Sequence, residues 1–135
     1  MIYRLCADLN PLHADPAVAH AAGFDRPILH GLATYGVAGH AILKTCCDYD
    51  PARLKSLGLR FSSPVFPGET IRTEIWRDGG IVSFRSTVPA RGVTVLNNGR
   101  AEITKSDERR RERDPKLYGH IIAPGPERVS HASAK

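Results

Sequence analysis

A carboxylate and an imidazole stand five residues apart near the start of the sequence, in Asp8-Leu9-Asn10-Pro11-Leu12-His13. Pro11 bars a continuous helix between them, so the chain must turn and can bring both side chains to one point. The Asn10 amide can hold that turn through its own hydrogen bond. Such a pair can position a water, one group taking a proton while the other donates one. On these six residues alone, an Asx turn carrying a surface histidine is the stronger reading.

Two further segments concentrate unusual residues. Gly23-Phe24-Asp25-Arg26-Pro27-Ile28-Leu29-His30-Gly31-Leu32 leads into a long helical pattern. Gly31 falls where unpaired N–H groups and the positive end of the helix dipole meet. A glycine there lets a ligand carbonyl approach the backbone, which is how an oxyanion hole is built. The alternative is a glycine needed only for the turn. His30 reads as a hydrogen-bonded structural residue ahead of a chemical one. In Arg60-Phe61-Ser62-Ser63-Pro64-Val65-Phe66-Pro67-Gly68-Glu69 a strand ends, a proline-framed loop turns and another strand begins. Phe61 could line a pocket, although an alternating aromatic on a strand is usually core.

The elements that must position these residues follow from periodicity. Asp15-Pro16 predicts a short helix with Asp as N-cap, and Gly23 is placed to end it. Leu32, Gly36, Gly39, Leu43 and Cys46 form one stripe at helical spacing, with Ala33, Val37 and Ala41 as a second, so a buried helix is expected over about 31–47. Gly36 and Gly39 each cost about 1 kcal/mol relative to alanine, which points to close packing at both. After Pro51 the period falls to two. Leu57, Leu59 and Phe61 alternate, as do Ile71, Thr73 and Ile75, and Asp78-Gly79-Gly80 reads as a hairpin turn into a strand from Ile81. Gly92 and Asn97-Asn98-Gly99 punctuate a last pair of short segments, or one long strand with a bulge, ending near Ile103. One buried helix followed by an antiparallel meander predicts an α+β architecture, with the sheet wrapped around the helix.

Composition narrows the class. The chain has 135 residues, 41% of them hydrophobic and 24% charged, enough to bury the core of one domain. No stretch approaches the roughly 20 apolar residues of a membrane span, and the first residues do not read as a secretory signal. Cys6, Cys46 and Cys47 make no disulfide framework and suit a reducing interior. The formal charge of +5 is uneven: residues 1–104 carry 11 Lys and Arg against 9 Asp and Glu, and residues 105–135 carry 8 against 5. Residues 105–135 read as a flexible basic tail following a folded domain of residues 1–104. Its Arg109-Arg110-Arg111 could touch phosphate, but interleaved acids and missing aromatics favour a solvated tail over a nucleic-acid arm. His13, His20, His30 and His40 match no compact zinc spacing, so no metal is expected.

Taken together, D-x-N-P-L-H, P-I-L-H-G-L and the Phe61 loop resemble the MaoC-like, type-2 enoyl-CoA hydratase family of hot-dog folds. The similarity is greatest to the catalytic C-terminal half of the hydratase unit in peroxisomal multifunctional enzymes, over about Ile2 to Ile103. It implies (R)-specific hydration of trans-2-enoyl-CoA to (3R)-3-hydroxyacyl-CoA, or the reverse, within fatty-acid metabolism such as β-oxidation. Asp8 and His13 match the catalytic pair, and Asn10 the residue that supports it. Asn10, Pro11, Leu12, Gly31 and Phe61 are placed on the substrate side, with Gly31 receiving the thioester oxygen. Neither a metal nor an organic cofactor is implied; CoA is the handle of the substrate.

Two departures from the family pattern bear on the fold. Cys6-Ala7 stands where the family usually has Ser-Gly, which implies strain of roughly 1–2 kcal/mol if that backbone takes φ > 0. Only seven residues precede Asp8, where relatives have an N-terminal strand and a fuller helix. A missing sheet edge is therefore expected, and with it a homodimer or a heteromer with another hot-dog subunit. A non-catalytic acyl-CoA-binding subunit and a remnant of a double-hot-dog hydratase are the competing readings. The ending Ala-Ser-Ala-Lys is not of the Ser-Lys-Leu type, so a cytoplasmic location is expected.

Overall fold

The computed structural model describes Leu5, residues 7–104 and, as backbone, residues 128–134. Local chemistry sets the first turns. Asn10 caps a 3-10 turn over Pro11–His13, its side chain accepting the Leu12 N–H. Asp15 accepts the Ala17 N–H and Pro16 occupies the first helical position, so α1 runs over Pro16–Ala21 as predicted. Helix α2 spans Gly31–Cys46. Its buried face is Thr34, Ala38, Gly39, Ala41, Ile42 and Cys46.

That face differs from the predicted stripe. Leu32 is 59% exposed and Gly36 is exposed, with nothing within 4 Å of where a Cβ would stand. Gly39 alone packs closely, its Cβ position lying 3.3 Å from Leu57. The miss has a physical cause. In this helix alanine, glycine and leucine alternate on most sides, so periodicity alone does not tell which side meets the sheet.

The sheet supplies the other half of the core. Strands β1 (Leu54–Phe61), β2 (Ile71–Asp78), β3 (Ile81–Val88), β4 (Val93–Ile103) and β5 (Arg128–Ala134) are antiparallel, in the order β1-β4-β3-β2-β5. Gly79 and Gly80 close the β2–β3 hairpin, with Asp78 opposite Ile81. Alternation on β2 and β3 buries Ile71, Thr73, Ile75, Val82, Phe84, Ser86 and Val88 on one face. The buried hydroxyls of Thr73 and Ser86 lie 2.9 Å apart on opposite strands, satisfying one another.

Strand β4 is one long strand, with its irregularity around Asn97-Asn98-Gly99. Gly99 is obligatory there, because a Cβ would stand 2.4 Å from the Phe84 carbonyl oxygen. Helix α2 lies against β1, β2 and β5, and Tyr35 donates to the Leu57 carbonyl at 2.8 Å, tying helix to strand. Ala38 and Ile42 meet Ile75, Val82, Val95, Leu96 and Ala101 in the core.

The reading of residues 105–135 as a flexible tail is corrected at its far end. Residues 128–134 form β5 and pair with β2, so the sheet has a fifth strand where an unpaired edge was expected. The charged run from Lys105 lies outside the described residues, as do Ile2, Tyr3, Arg4 and Cys6.

Candidate active site

Turn chemistry builds the first wall of the site. The Asn10 N–H donates to Asp8 Oδ1 at 2.9 Å while the Asn10 side-chain Oδ1 accepts the Leu12 N–H at 3.0 Å, locking the Asp8–Leu12 backbone in consecutive Asx turns. His13 follows directly and points at the segment that leads into α2. Its Nδ1 is 3.0 Å from the Ile28 carbonyl oxygen. A carbonyl can only accept, so Nδ1 carries the proton, and a neutral His13 presents Nε2 as its basic nitrogen.

The helix start builds the second wall. His30 is the N-cap of α2 and Gly31 its first residue. His30 Nε2 lies 2.7 Å from Asp8 Oδ2, and the His13 and His30 rings meet edge to face with centroids 5.0 Å apart. One carboxylate oxygen of Asp8 and one ring nitrogen each of His13 and His30 fall within 4.8 Å of one another. Such a spacing suits one bridging particle, and the carboxylate already accepts from Asn10 and His30 while His13 bonds Ile28. One hydrogen bond within the set, His30 to Asp8, and two to the backbone of Asn10 and Ile28 hold these side chains in place.

Electrostatics agree. The Asn10 backbone N–H, followed by the hydrogen bond from His30 and the nearby imidazoles, holds the Asp8 carboxyl below its ordinary value. Asp8 is therefore ionised at neutral pH.

A cleft of about 340 Å³ opens beside this cluster, towards the small end of ligand pockets. His13, Gly31, Thr34 and Phe61 line it, with Ser62 to Val65 as the far wall. The far wall is pinned in three ways. Leu29 N–H donates to the Val65 carbonyl at 2.7 Å, and Ser62 N–H to the Val95 carbonyl at 2.9 Å. Arg91 clamps Glu69 through Nε and Nη2 at 2.6 and 2.8 Å, and Nη2 also reaches the Pro64 carbonyl. Arg91 thereby keeps the Glu69 carboxyl below its ordinary value.

The structure sorts the expected residues. Asp8 and His13 converge, and His13, Gly31 and Phe61 line one cleft. Phe61 is 52% exposed and stands over Gly31, its ring 3.5 Å from where a Cβ would be. It belongs to the pocket and not to the core. Asn10, Pro11 and Leu12, like Asp8, are absent from the lining; they form the turn that presents Asp8 and His13. His20 and His40 lie outside the cluster.

Sequence reasoning undervalued His30, which sits 22 residues from Asp8 yet bonds it. Its position just before the helix-opening glycine was the available signal. Thr34 was missed because a polar residue three positions into a helix carries no distinctive pattern; it is 3% exposed and lines the cleft.

Fold and site together define one class: an antiparallel sheet packed on a helix, whose N-terminus faces a carboxylate and two imidazoles. The model of the MaoC-like domain matches residues 1–99, and the chain belongs to that family. It is 50% identical over 105 residues to a probable enoyl-CoA hydratase 2 of Dictyostelium discoideum, covering 76% of this chain and 36% of that protein. Among solved structures, a MaoC-like dehydratase from Phytophthora capsici superposes with a TM-score of 0.75 at 48% identity, over 78% of this chain and 36% of the other. The (R)-hydratase from A. caviae involved in PHA biosynthesis gives 0.59 at 27% identity, over 76% and 81%. The hot-dog architecture is thus established. The chain spans 14–36% of the length of the curated relatives from mouse, Dictyostelium and Arabidopsis that it matches.

Proposed function

We propose that the protein hydrates trans-2-enoyl-CoA esters to (3R)-3-hydroxyacyl-CoA, or catalyses the reverse dehydration, through Asp8 and His13. The observation that carries the reading is their convergence within 4.8 Å beside a cleft that His13 and Gly31 line. Two polar atoms at that separation can share one water at ordinary hydrogen-bond lengths. Ionised Asp8 orients the water and His13 Nε2 takes its proton. The hydroxide oxygen bonds to C3 of the enoyl group while the proton returns to C2, so the elements of one water add across the double bond from one face. Negative charge builds on the thioester oxygen, and the N–H groups opening α2 at Gly31 are placed to receive it.

The hydratase and dehydratase names of the relatives support the reaction class, and the (R)-hydratase likeness supports its stereochemistry. The test follows loss of the conjugated thioester absorbance of crotonyl-CoA. Asp8→Asn and His13→Ala should each lower turnover by about 10²–10⁴-fold. Unchanged rates in either variant would refute these roles. Binding of enoyl-CoA with no turnover in the unsubstituted protein would favour an acyl-CoA-binding subunit.

A second unit completes the proposal. Leu32, Ala33 and Gly36 are exposed on α2, the helix whose Gly31 and Thr34 line the cleft. Apolar surface of this kind next to a site marks an interaction face. We place a second hot-dog domain there, in a homodimer or a heteromer; sedimentation of a stable monomer at micromolar concentration would remove the homodimer.

A further inference from the structure

His30 is the member of the cluster to which the reaction above gives no task. N-cap positions favour side chains whose oxygen accepts a helix N–H. His30 makes no such cap bond. Its ring turns away from the helix to Asp8, and only 13% of the side chain is exposed against 34% for Asp8. The contact spans 22 residues of sequence, so neither turn geometry nor helix propensity produces it.

The effect on Asp8 is geometric. A carboxylate rotates broadly about its last torsion. With Oδ1 on the Asn10 N–H alone, the plane of the group could swing. A second bond, from His30 Nε2–H to Oδ2 at 2.7 Å, anchors both oxygens. His30 also meets the His13 ring edge-on at 84°, limiting how that imidazole turns. Because His30 directly precedes Gly31, the same bond fixes the distance between the water-orienting carboxylate and the helix start.

We infer that His30 is a positioning residue for hydration, holding Asp8 and His13 in register with the oxyanion cradle at Gly31. The inference rests on the hydratase reading and goes beyond it by giving the third member of the cluster a role. Misplacement of reacting groups by about 1 Å costs on the order of 10²-fold, which sets the scale of the effect.

The test compares crotonyl-CoA hydration by the unsubstituted protein, His30→Ala, His30→Gln, Asp8→Asn and the Asp8→Asn/His30→Ala double variant. His30→Ala should lose about 10–100-fold in kcat with KM changed by less than about 3-fold. His30→Gln, which keeps an N–H donor, should recover to within about 5-fold of the unsubstituted protein. The double variant should lose clearly less than the product of the two single losses, since His30 acts largely through the Asp8 side chain. A kcat within about 2-fold of normal in His30→Ala, or losses that multiply in the double variant, would overturn the inference.

A readout independent of turnover is the long-range 1H–15N spectrum of the imidazoles. It should show His30 protonated at Nε2, with that proton exchanging rapidly in Asp8→Ala. A His30 protonated only at Nδ1 would overturn the positioning bond even if the enzyme were active. Absence of hydration in the unsubstituted protein would remove the hydratase reading, and the spectrum would still decide whether His30 holds Asp8.

Discussion

Two residues test the site and its supporting turn separately. A Gly31→Ala methyl would meet the Phe61 ring at 3.5 Å, an ordinary contact, and alanine is the better helix former. The expected outcome is a melting temperature within a few degrees of normal, together with turnover of crotonyl-CoA reduced by about 10-fold or more, because the methyl fills the space a thioester oxygen would use. Ala7 tests strain. Its φ is 60°, the left-handed conformation that departure from the family pattern implied. Removing the Cβ relieves roughly 1–2 kcal/mol, offset by about 0.4–1 kcal/mol of added unfolded-chain freedom. Ala7→Gly should therefore raise stability by up to about 1.6 kcal/mol in urea titration. A lower denaturation midpoint would show that Ala7 packs in a way its backbone angle conceals.

At the scale of elements, the Arg91–Glu69 ion pair is one of the ties on the loop between β1 and β2, and it carries a pH dependence. The Arg91 guanidinium, aided by the Phe66 N–H, depresses the Glu69 carboxyl from its reference value of 4.5. A depressed carboxylate contributes stability that is present above its unfolded value and disappears as pH falls through its folded value. Stability should thus decline below about pH 4.5, and Glu69→Gln should flatten that part of the curve. The clamp is partly exposed, so its worth at neutral pH is modest. Because Arg91 also bonds the Pro64 carbonyl, Glu69→Gln should raise KM for enoyl-CoA by loosening the cleft wall while leaving kcat within about 3-fold. A urea titration from pH 3 to 7 and a Michaelis curve check the two halves.

For the whole molecule, the edge of the sheet is decisive. Without β5, strand β2 would present a row of unpaired N–H and C=O groups, with Trp76 already 42% exposed beside them. A chain ending at Thr104 should melt at lower temperature and associate at micromolar concentration, as light scattering would report. A Thr104-terminated variant that stays monodisperse with unchanged melting would show that the β2 edge needs no cover. The same sheet makes the site composite. The first turn, the start of α2 and the β1–β2 loop meet only because α2 lies across β1 and Tyr35 fixes it there.

Local rules made much of this legible before any coordinates. Asp15-Pro16, the α2 span, the β2–β3 hairpin and the Asx turn at Asn10 depend on neighbours in sequence, whose sterics and hydrogen bonds act over a few residues. One proline-bearing turn joins Asp8 to His13, so their approach was open to the same rules, although the turn alone favoured a surface histidine and the resemblance to the family supplied the pair. Three features required the fold. The buried side of α2 depended on where the sheet sits, because small residues surround that helix on most sides. His30 reached Asp8, and residues 128–134 reached β2, across long stretches of chain. Contacts between distant segments are set by the packing of whole elements, so residue type and spacing supplied the chemistry of the site while tertiary structure chose its third member.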